Sequence, residues 1–181
     1  MKRISLLTVF FILGCYNDPI IPKPNAFLYK EFQTPNYKLY QNNCGFSFQI
    51  NDKSILTQEG CNLKIKNLKL RSTIFITHIK IDNNLSLIES DFADKMNKNS
   101  ENAFFVNSSE YVDEQKKVFA KYFSFSGDTP SNTYFFITDS DKFYLSGSLF
   151  FDSKPNYDSL LPSINHVNKD IRKLIQSFNW N

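Results

Sequence analysis

Residues 159–178, SLLPSINHVNKDIRKLIQSF, are the stretch of this sequence that decides its fold. The apolar side chains recur at intervals of three and four residues, the spacing of one face of an α-helix. They are Leu160, Leu161, Ile164, Val167, Ile171, Leu174, Ile175 and Phe178. Ser159 is the predicted N-cap, which puts Pro162 in the first turn, where its missing N–H costs little. A helix with this much apolar surface is stable only when another element covers it.

The sequence before this helix predicts the sheet that covers it. Phe46, Phe48 and Ile50 alternate with polar residues, which is the period of a half-buried strand. Strands are predicted on similar grounds at residues 27–32, 37–40, 46–50, 63–65, 72–81, 103–112, 117–125, 133–138 and 142–151. Gly147 lies inside the last of these, which predicts a bulge or a close backbone contact there.

A further helix is predicted after the strand at residues 72–81. Its apolar stripe consists of Leu85, Ile88, Phe92 and Met96. Asn83 and Asn84 supply the cap, and the helix runs to about Asn97. The fold class is therefore α+β, with a single antiparallel β-sheet, packed helices and a C-terminal amphipathic helix. Residues 27–181 are expected to form one globular domain.

The amino-terminal residues predict export. Lys2 and Arg3 precede an apolar run at residues 4–13, which is too short to cross a bilayer as a helix. The run has the size of the apolar core of a secretory signal peptide. It ends in Ile12-Leu13-Gly14-Cys15, which resembles the bacterial lipobox, with small Gly14 giving a peptidase access to the bond.

A lipid anchor follows from this motif. We predict a signal peptide at residues 1–14, lipidation of Cys15, and a proline-rich tether at residues 15–26. The alternative is an ordinary secreted protein in which Cys15 lies near the cleavage site. It is less favoured, because no small-x-small cleavage site precedes Cys15. The expected location is the cell envelope facing the periplasm, with the inner leaflet of the outer membrane favoured over the inner membrane.

Composition excludes one class of partner. Removal of the signal peptide leaves nearly balanced numbers of basic and acidic residues, so a nucleic-acid partner has no electrostatic support. Aromatic residues make up 16% of the chain, and 19 of its residues are Phe. This composition favours a sheet-rich core that buries many rings.

Besides Cys15, the predicted mature chain contains two cysteines, Cys44 and Cys61. In an exported protein they can form a stable disulfide, which is the preferred interpretation. Two separate buried thiols are the alternative, because the sequence does not give the distance between them. A catalytic cysteine is not expected, since nothing in the sequence pairs either residue with a base.

The sequence contains few candidates for chemistry, and we predict no catalytic residue, no metal site and no cofactor. His78 is expected to be partly buried and hydrogen-bonded, and His166 to be solvated on the polar side of the last helix. Two histidines on separate elements are too few for a zinc site. Asp139 and Asp141 are expected to form a polar turn.

The most unusual local segment lies between two aromatic strands. It consists of Gly127, Asp128, Thr129, Pro130, Ser131 and Asn132, followed by Thr133. Local physics favours a hairpin loop in which Gly127 supplies a positive φ angle. The alternative is a recognition loop that contacts another envelope protein.

This segment also opens a resemblance to a known family. The stretches GDTPSNT at residues 127–133, FFITDS at 135–140, LSGSLFF at 145–151 and PNYDSL at 155–160 resemble the gliding-motility lipoprotein GldD family. The similarity extends to Trp180 and backward to the prolines after Cys15, so it covers nearly the whole chain.

The resemblance implies an accessory lipoprotein of the gliding machinery and the linked type IX secretion system of Bacteroidota, with no assigned enzyme activity. The implied partners are the membrane, through the lipid, and envelope proteins of that machinery. By analogy, the order of elements is also similar to the PsbP/Mog1 type of α/β/α sandwich. The alternative function is a periplasmic enzyme or small-ligand-binding protein that acts on cell wall or carbohydrate. It predicts a pocket lined by Asp128, Asp139 or His78.

Overall fold

The computed structural model describes residues 32–154 and 156–181. The predicted signal peptide, Cys15, the tether and nearly all of the strand predicted at residues 27–32 lie outside the described residues. In chain order the elements are β1 (Tyr37–Gln41), β2 (Phe46–Asn51), β3 (Ile55–Glu59), β4 (Asn62–Asn67), β5 (Ser72–Lys80), α1 (Leu85–Ser100), β6 (Ala103–Asp113), β7 (Val118–Gly127), β8 (Thr133–Thr138), β9 (Phe143–Phe151), α2 (Tyr157–Gln176) and β10 (Asn179–Trp180).

The strands form two antiparallel sheets, so the prediction of a single sheet is wrong. The larger sheet has seven strands in the order β3-β4-β5-β9-β8-β7-β6, and the smaller has three in the order β1-β2-β10. Within the larger sheet, β9 lies between β5 and β8, and β6 forms one edge. All the paired strands are antiparallel.

Strand β2, at the centre of the smaller sheet, is buried more fully than an alternating pattern suggests. Phe46 and Phe48 are fully buried, and Ser47 between them is buried as well. After α2 the chain turns back and forms β10, in which Trp180 pairs with Phe46 of β2. The sequence prediction extended the last helix to Phe178, whereas α2 ends at Gln176, and it did not include this strand.

The two helices lie on opposite faces of the seven-stranded sheet. Neighbouring residues of a strand point to opposite faces, and Tyr122 and Phe123 are neighbours in β7. The guanidinium of Arg172, in α2, lies 5.3 Å from the ring centre of Tyr122. The ring of Phe92, in α1, lies 5.9 Å from that of Phe123. The small sheet shares the α2 side and its core. The specific likeness to the PsbP/Mog1 type stays a prediction.

Helix α2 begins earlier than predicted. Its N-cap is Asn156, whose side chain accepts a hydrogen bond from the Ser159 N–H, so Ser159 is not the cap. Pro162 consequently lies inside the helix rather than in its first turn. A residue distant in sequence supports the start, because Asp128 Oδ1 accepts from the Tyr157 N–H at 2.7 Å. Sequence periodicity does not reveal such a long-range cap.

Gly147 has the close contact that the sequence predicted, without a bulge. It pairs directly with Ile76 on one side and Phe135 on the other. The ring of Phe135 lies over the glycine, so that a Cβ atom at position 147 would overlap with it. Glycine is therefore required here by a neighbouring ring rather than by backbone conformation.

The structure joins Cys44 and Cys61 in a disulfide, with Cα atoms 5.8 Å apart. Cys44 lies just before β2 in the small sheet, and Cys61 lies in the turn between β3 and β4 of the large one. The bond therefore links the two sheets at one end.

Candidate functional site

The loop between β7 and β8, residues 127–133, is fixed to the end of α1. Asn99 Nδ2 donates to the carbonyl oxygen of Ser131 at 2.7 Å, and the Ser131 N–H donates back to Asn99 Oδ1 at 2.9 Å. Both residues are buried. Two reciprocal bonds in a buried place fix the position and orientation of the loop more strongly than one exposed bond would.

Further hydrogen bonds close the loop on itself. The side-chain amide of Asn132 donates to the carbonyl oxygen of Gly127 at 3.2 Å and contacts Thr129 Oγ1 at the same distance. The hydroxyl of Thr129 donates to the Ser131 carbonyl at 2.9 Å, and the Ser131 hydroxyl donates to the Thr133 carbonyl at 2.9 Å. The side chains of the loop thus satisfy its own backbone.

Gly127 is needed because of both its conformation and its surroundings. Its φ angle is +126°, in the region that side chains rarely adopt, as the sequence predicted. A Cβ atom there would lie 2.6 Å from the carbonyl oxygen of Asn102. The start of β6 therefore passes directly against the loop.

The predicted recognition loop is therefore mostly internal. Gly127, Thr129, Ser131 and Asn132 are buried, whereas Asp128 and Pro130 are exposed. Asp128 also accepts a hydrogen bond at the start of α2. The loop holds α1, the start of β6 and α2 together, and only two of its residues face outward.

A groove lies beside this loop, between α2 and strands β6 and β7. We call it the α2 groove. It consists of two adjoining cavities of about 470 and 320 Å³ that share Tyr122 and Arg172. Asn107 and Ser124 line the strand side. Cavities of this size fall in the range of small-molecule sites.

The α2 groove is polar and carries positive charge. Arg172 and Lys169 line it and are exposed, and neither forms an ion pair with a carboxylate among the described residues. Burial raises the pKa of Tyr122, so its phenol stays neutral. Glu110, at the far end, is paired with Lys121 at 2.8 Å. Such a lining favours ligands that are polar and anionic.

Helix α2 also carries a buried carboxylate that the sequence interpretation missed. Asp170 is 9% exposed, and it accepts hydrogen bonds from the Tyr37 hydroxyl at 2.9 Å and the Asn51 amide at 3.0 Å. These bonds fix α2 to the small sheet. Position 170 falls between Val167 and Ile171 on the apolar face of the helix. This position is the feature of the sequence that could have predicted a buried carboxylate.

The two histidines lie on different elements and have different neighbours. The ring of His78 stacks on that of Phe46 and contacts the tilted ring of Phe143, and burial lowers its pKa. It is partly buried, as predicted, but the predicted hydrogen bond of its imidazole is not found, because Nε2 is buried without a hydrogen-bond partner among the described residues. Its backbone N–H donates to the side chain of Asn62. His166 was predicted to be solvated, but one face of its ring is covered. The ring stacks on that of Phe32, with ring centroids 4.5 Å apart.

The alternative function, an enzyme or small-ligand binder, predicted a pocket lined by Asp128, Asp139 or His78. Asp128, Asp139 and His78 do not line the α2 groove. Asp139 instead accepts hydrogen bonds from the N–H groups of residues 141–143 and forms the predicted turn. In the described part of the chain, no three His, Cys, Asp or Glu residues are grouped closely enough to hold a metal ion.

Comparison with known proteins identifies the chain at the level of a family. None of the described helices is long and apolar enough to cross a membrane. A search of curated proteins finds no match. A model of the family described as gliding motility lipoprotein GldD matches residues 17–180, which is most of the chain. The chain therefore belongs to the gliding motility lipoprotein GldD family, and its location is the cell envelope.

Proposed function

We propose that this protein is an accessory lipoprotein of the gliding machinery and of the linked type IX secretion system, and that it acts by binding rather than by catalysis. The observation that carries the proposal is the family match across residues 17–180. The disulfide between Cys44 and Cys61 supports it, since such bonds persist in the oxidising compartments of the envelope.

The anchor is part of the same proposal. Cleavage before Cys15 and its lipidation attach the protein to the periplasmic side of a membrane, in our preferred version the inner leaflet of the outer membrane. Residues 15–26 then act as the tether. Several acyl chains on one cysteine give stable attachment, whereas one chain gives only marginal binding.

The α2 groove is the proposed binding surface for the machinery. Its lining combines Lys169 and Arg172, which form no ion pair among the described residues, with amide and hydroxyl side chains. These groups recognise carboxylate or other anionic groups on a partner. In the predicted recognition loop, Asp128 and Pro130 are the residues left exposed for such contact.

Cross-linking in intact cells tests this surface. We expect the wild-type chain to co-purify with core proteins of the machinery, and the double variant Lys169→Ala/Arg172→Ala to lose most of that recovery. Lys142→Ala, an exposed lysine outside the groove, is the matched control and should not change it. Equal recovery with the double variant, at equal protein abundance, would show that the groove is not the contact surface.

A second candidate function is supported by the size of the same groove. A small-ligand-binding protein acting on cell-wall material would use it to hold a polar, anionic saccharide. Titration calorimetry of the full chain with soluble muropeptides tests this idea. We expect binding that Arg172→Ala weakens by about tenfold, the usual cost of one lost charged contact. Absence of heat with the wild-type chain would reject it.

A further inference from the structure

Strand β6 is an exposed edge with unusual side chains. It has 11 residues and forms the outer edge of the seven-stranded sheet, and within the described residues it is paired on one side only, with β7. Four of the nine large apolar side chains exposed among the described residues lie on it. They are Phe104 at 87% exposed, Phe105 at 58%, Val106 at 42% and Val112 at 57%.

Proteins commonly protect such edges against pairing. Short edge strands, charged side chains (above all lysine), proline and bulges are the usual devices. Strand β6 has no lysine or proline, its two charged residues, Glu110 and Asp113, lie in its last four positions, and its register shift lies at its very start, between Ala103 and Phe105. From Phe105 to Asp113 its pairing with β7 is regular. An edge of this length and composition is suited to pairing with another strand.

We propose that β6 pairs antiparallel with β6 of a second copy of this chain, around a two-fold axis through Ser108. The two seven-stranded sheets then become one continuous sheet. This inference goes beyond the proposed function and does not depend on it. In this register the paired residues are Phe104 with Val112, Phe105 with Tyr111, Val106 with Glu110, and Asn107 with Ser109.

Symmetry restricts the register. When two antiparallel edge strands are related by a two-fold axis, the axis is perpendicular to the sheet. The same face of each copy then lies on the same side of the joined sheet, and residues that oppose one another point to that same face. Residues of equal parity must therefore pair, because successive side chains alternate between faces. The axis then passes through a residue, and Asn107, Ser108 and Ser109 are the central choices.

The side chains select Ser108 from these three. An axis through Asn107 places Phe105 opposite Ser109 and Val106 opposite Ser108, which leaves both apolar side chains against polar ones. An axis through Ser109 places Phe105 opposite Asp113. An axis through Ser108 places Phe105 opposite Tyr111 twice, once on each side of the axis, and such aromatic pairs stabilise neighbouring strands.

Charge agrees with the same choice. With the axis at Ser108, Glu110 faces Val106, and the two Glu110 residues are separated by four residues along the strands, about 13 Å. Glu110 is also paired with Lys121 of its own chain. Like charges are therefore not opposed directly, which would be destabilising.

Disulfide cross-linking in cells tests the pairing and its register together. One tagged copy of the full chain carries Val106→Cys, and a second, differently tagged copy carries Glu110→Cys. Directly opposed residues have Cβ atoms about 5 Å apart, close to the disulfide range. We expect the mixed pair to cross-link about tenfold more than either variant with itself, because those contacts are about 13 Å apart.

Charged substitutions supply the matched controls. Phe105→Lys in both copies should abolish the mixed cross-link. Leu68→Lys should leave it unchanged, because this equally exposed residue lies beyond β4, at the other end of the sheet. Equal cross-linking in mixed and single combinations, or none in any, would overturn the proposal. Cross-linking of β6 to a different envelope protein instead would also overturn it.

Discussion

Asn99, at the end of α1, and Ser131, in the loop between β7 and β8, exchange two hydrogen bonds of 2.7 and 2.9 Å inside the protein. The pair joins the helix on one face of the large sheet to a loop at the end of that sheet. It also explains why a segment with the composition of a recognition loop is mostly buried. The polar side chains of the loop bind its own backbone, and the backbone of Ser131 binds the Asn99 side chain of α1.

Asn99→Ala should destabilise the domain strongly. The substitution leaves the Ser131 N–H buried without its partner and removes one of the two donors to the Ser131 carbonyl, the other being the Thr129 hydroxyl. We expect this to cost about 2 kcal/mol of unfolding free energy. Asn97→Ala is the control, because that residue is on the same helix and exposed. Urea unfolding of both variants measures the difference. Ordinary surface substitutions change the unfolding free energy by less than about 0.5 kcal/mol. A loss within that range for Asn99→Ala would show that the two hydrogen bonds between Asn99 and Ser131 do not support the fold.

Gly147→Val should also destabilise the domain, since its side chain would overlap with the ring of Phe135. We expect a loss of about 3 kcal/mol from this overpacking. A second substitution, Phe135→Leu, should be less costly in the Gly147→Val background than in the wild type. A double-mutant cycle by urea unfolding measures this coupling. Additive effects would contradict the direct contact.

The disulfide should contribute a measurable part of the stability. Cys44→Ala/Cys61→Ala should lower the unfolding free energy by about 3 kcal/mol, because the open chain has more conformations when unfolded. A reductant should destabilise the wild-type protein and leave the double variant unchanged. Thermal unfolding with and without the reductant compares them. Identical melting of the wild-type chain under both conditions would contradict the linkage of the two sheets.

The contact between Tyr37 and Asp170 should make stability fall at alkaline pH. Burial and the hydrogen bond to Asp170 raise the pKa of Tyr37 above its ordinary value. Above pH about 10 the unfolded chain loses the proton while the folded one keeps it, so the unfolded state binds fewer protons. The stabilisation is therefore complete below that pH and decreases above it.

Tyr37→Phe tests this sign. Chemical unfolding between about pH 8 and pH 11 should show a smaller decline for the variant than for the wild type. Some decline should remain, because burial also raises the pKa values of Tyr122 and Tyr144. Parallel curves for the two proteins would show that Tyr37 does not carry this dependence.

Periodicity predicted the elements that are long and regular. The apolar stripe of α2 predicted a helix buried on one face, and Ile164, Val167 and Ile171 are buried in it. The first helix was predicted on the stripe that includes Ile88 and Phe92, both of which are buried in α1. These predictions succeed because burial of one helix face imposes a spacing that is visible in a short stretch of sequence.

One miss is local, because β3 was not predicted although it pairs with the adjacent β4 across a short turn. The other misses concern contacts between distant parts of the chain, since β10 depends on Trp180 meeting Phe46. The cap of α2 likewise involves Asp128. Two clues were present in the sequence: Asn99 continues the apolar stripe of α1, and Asp170 interrupts that of α2. A polar residue on an apolar stripe indicates a buried hydrogen-bonding partner.

The central claim is that this envelope lipoprotein is required for both gliding and type IX secretion. Deletion of its gene, followed by complementation, tests it most directly, with colony spreading and secretion of a type IX cargo measured in the same strains. We predict that deletion abolishes both activities, that the wild-type gene restores both, and that Cys15→Ser restores neither fully. A deletion strain that spreads and secretes like its parent would contradict the claim.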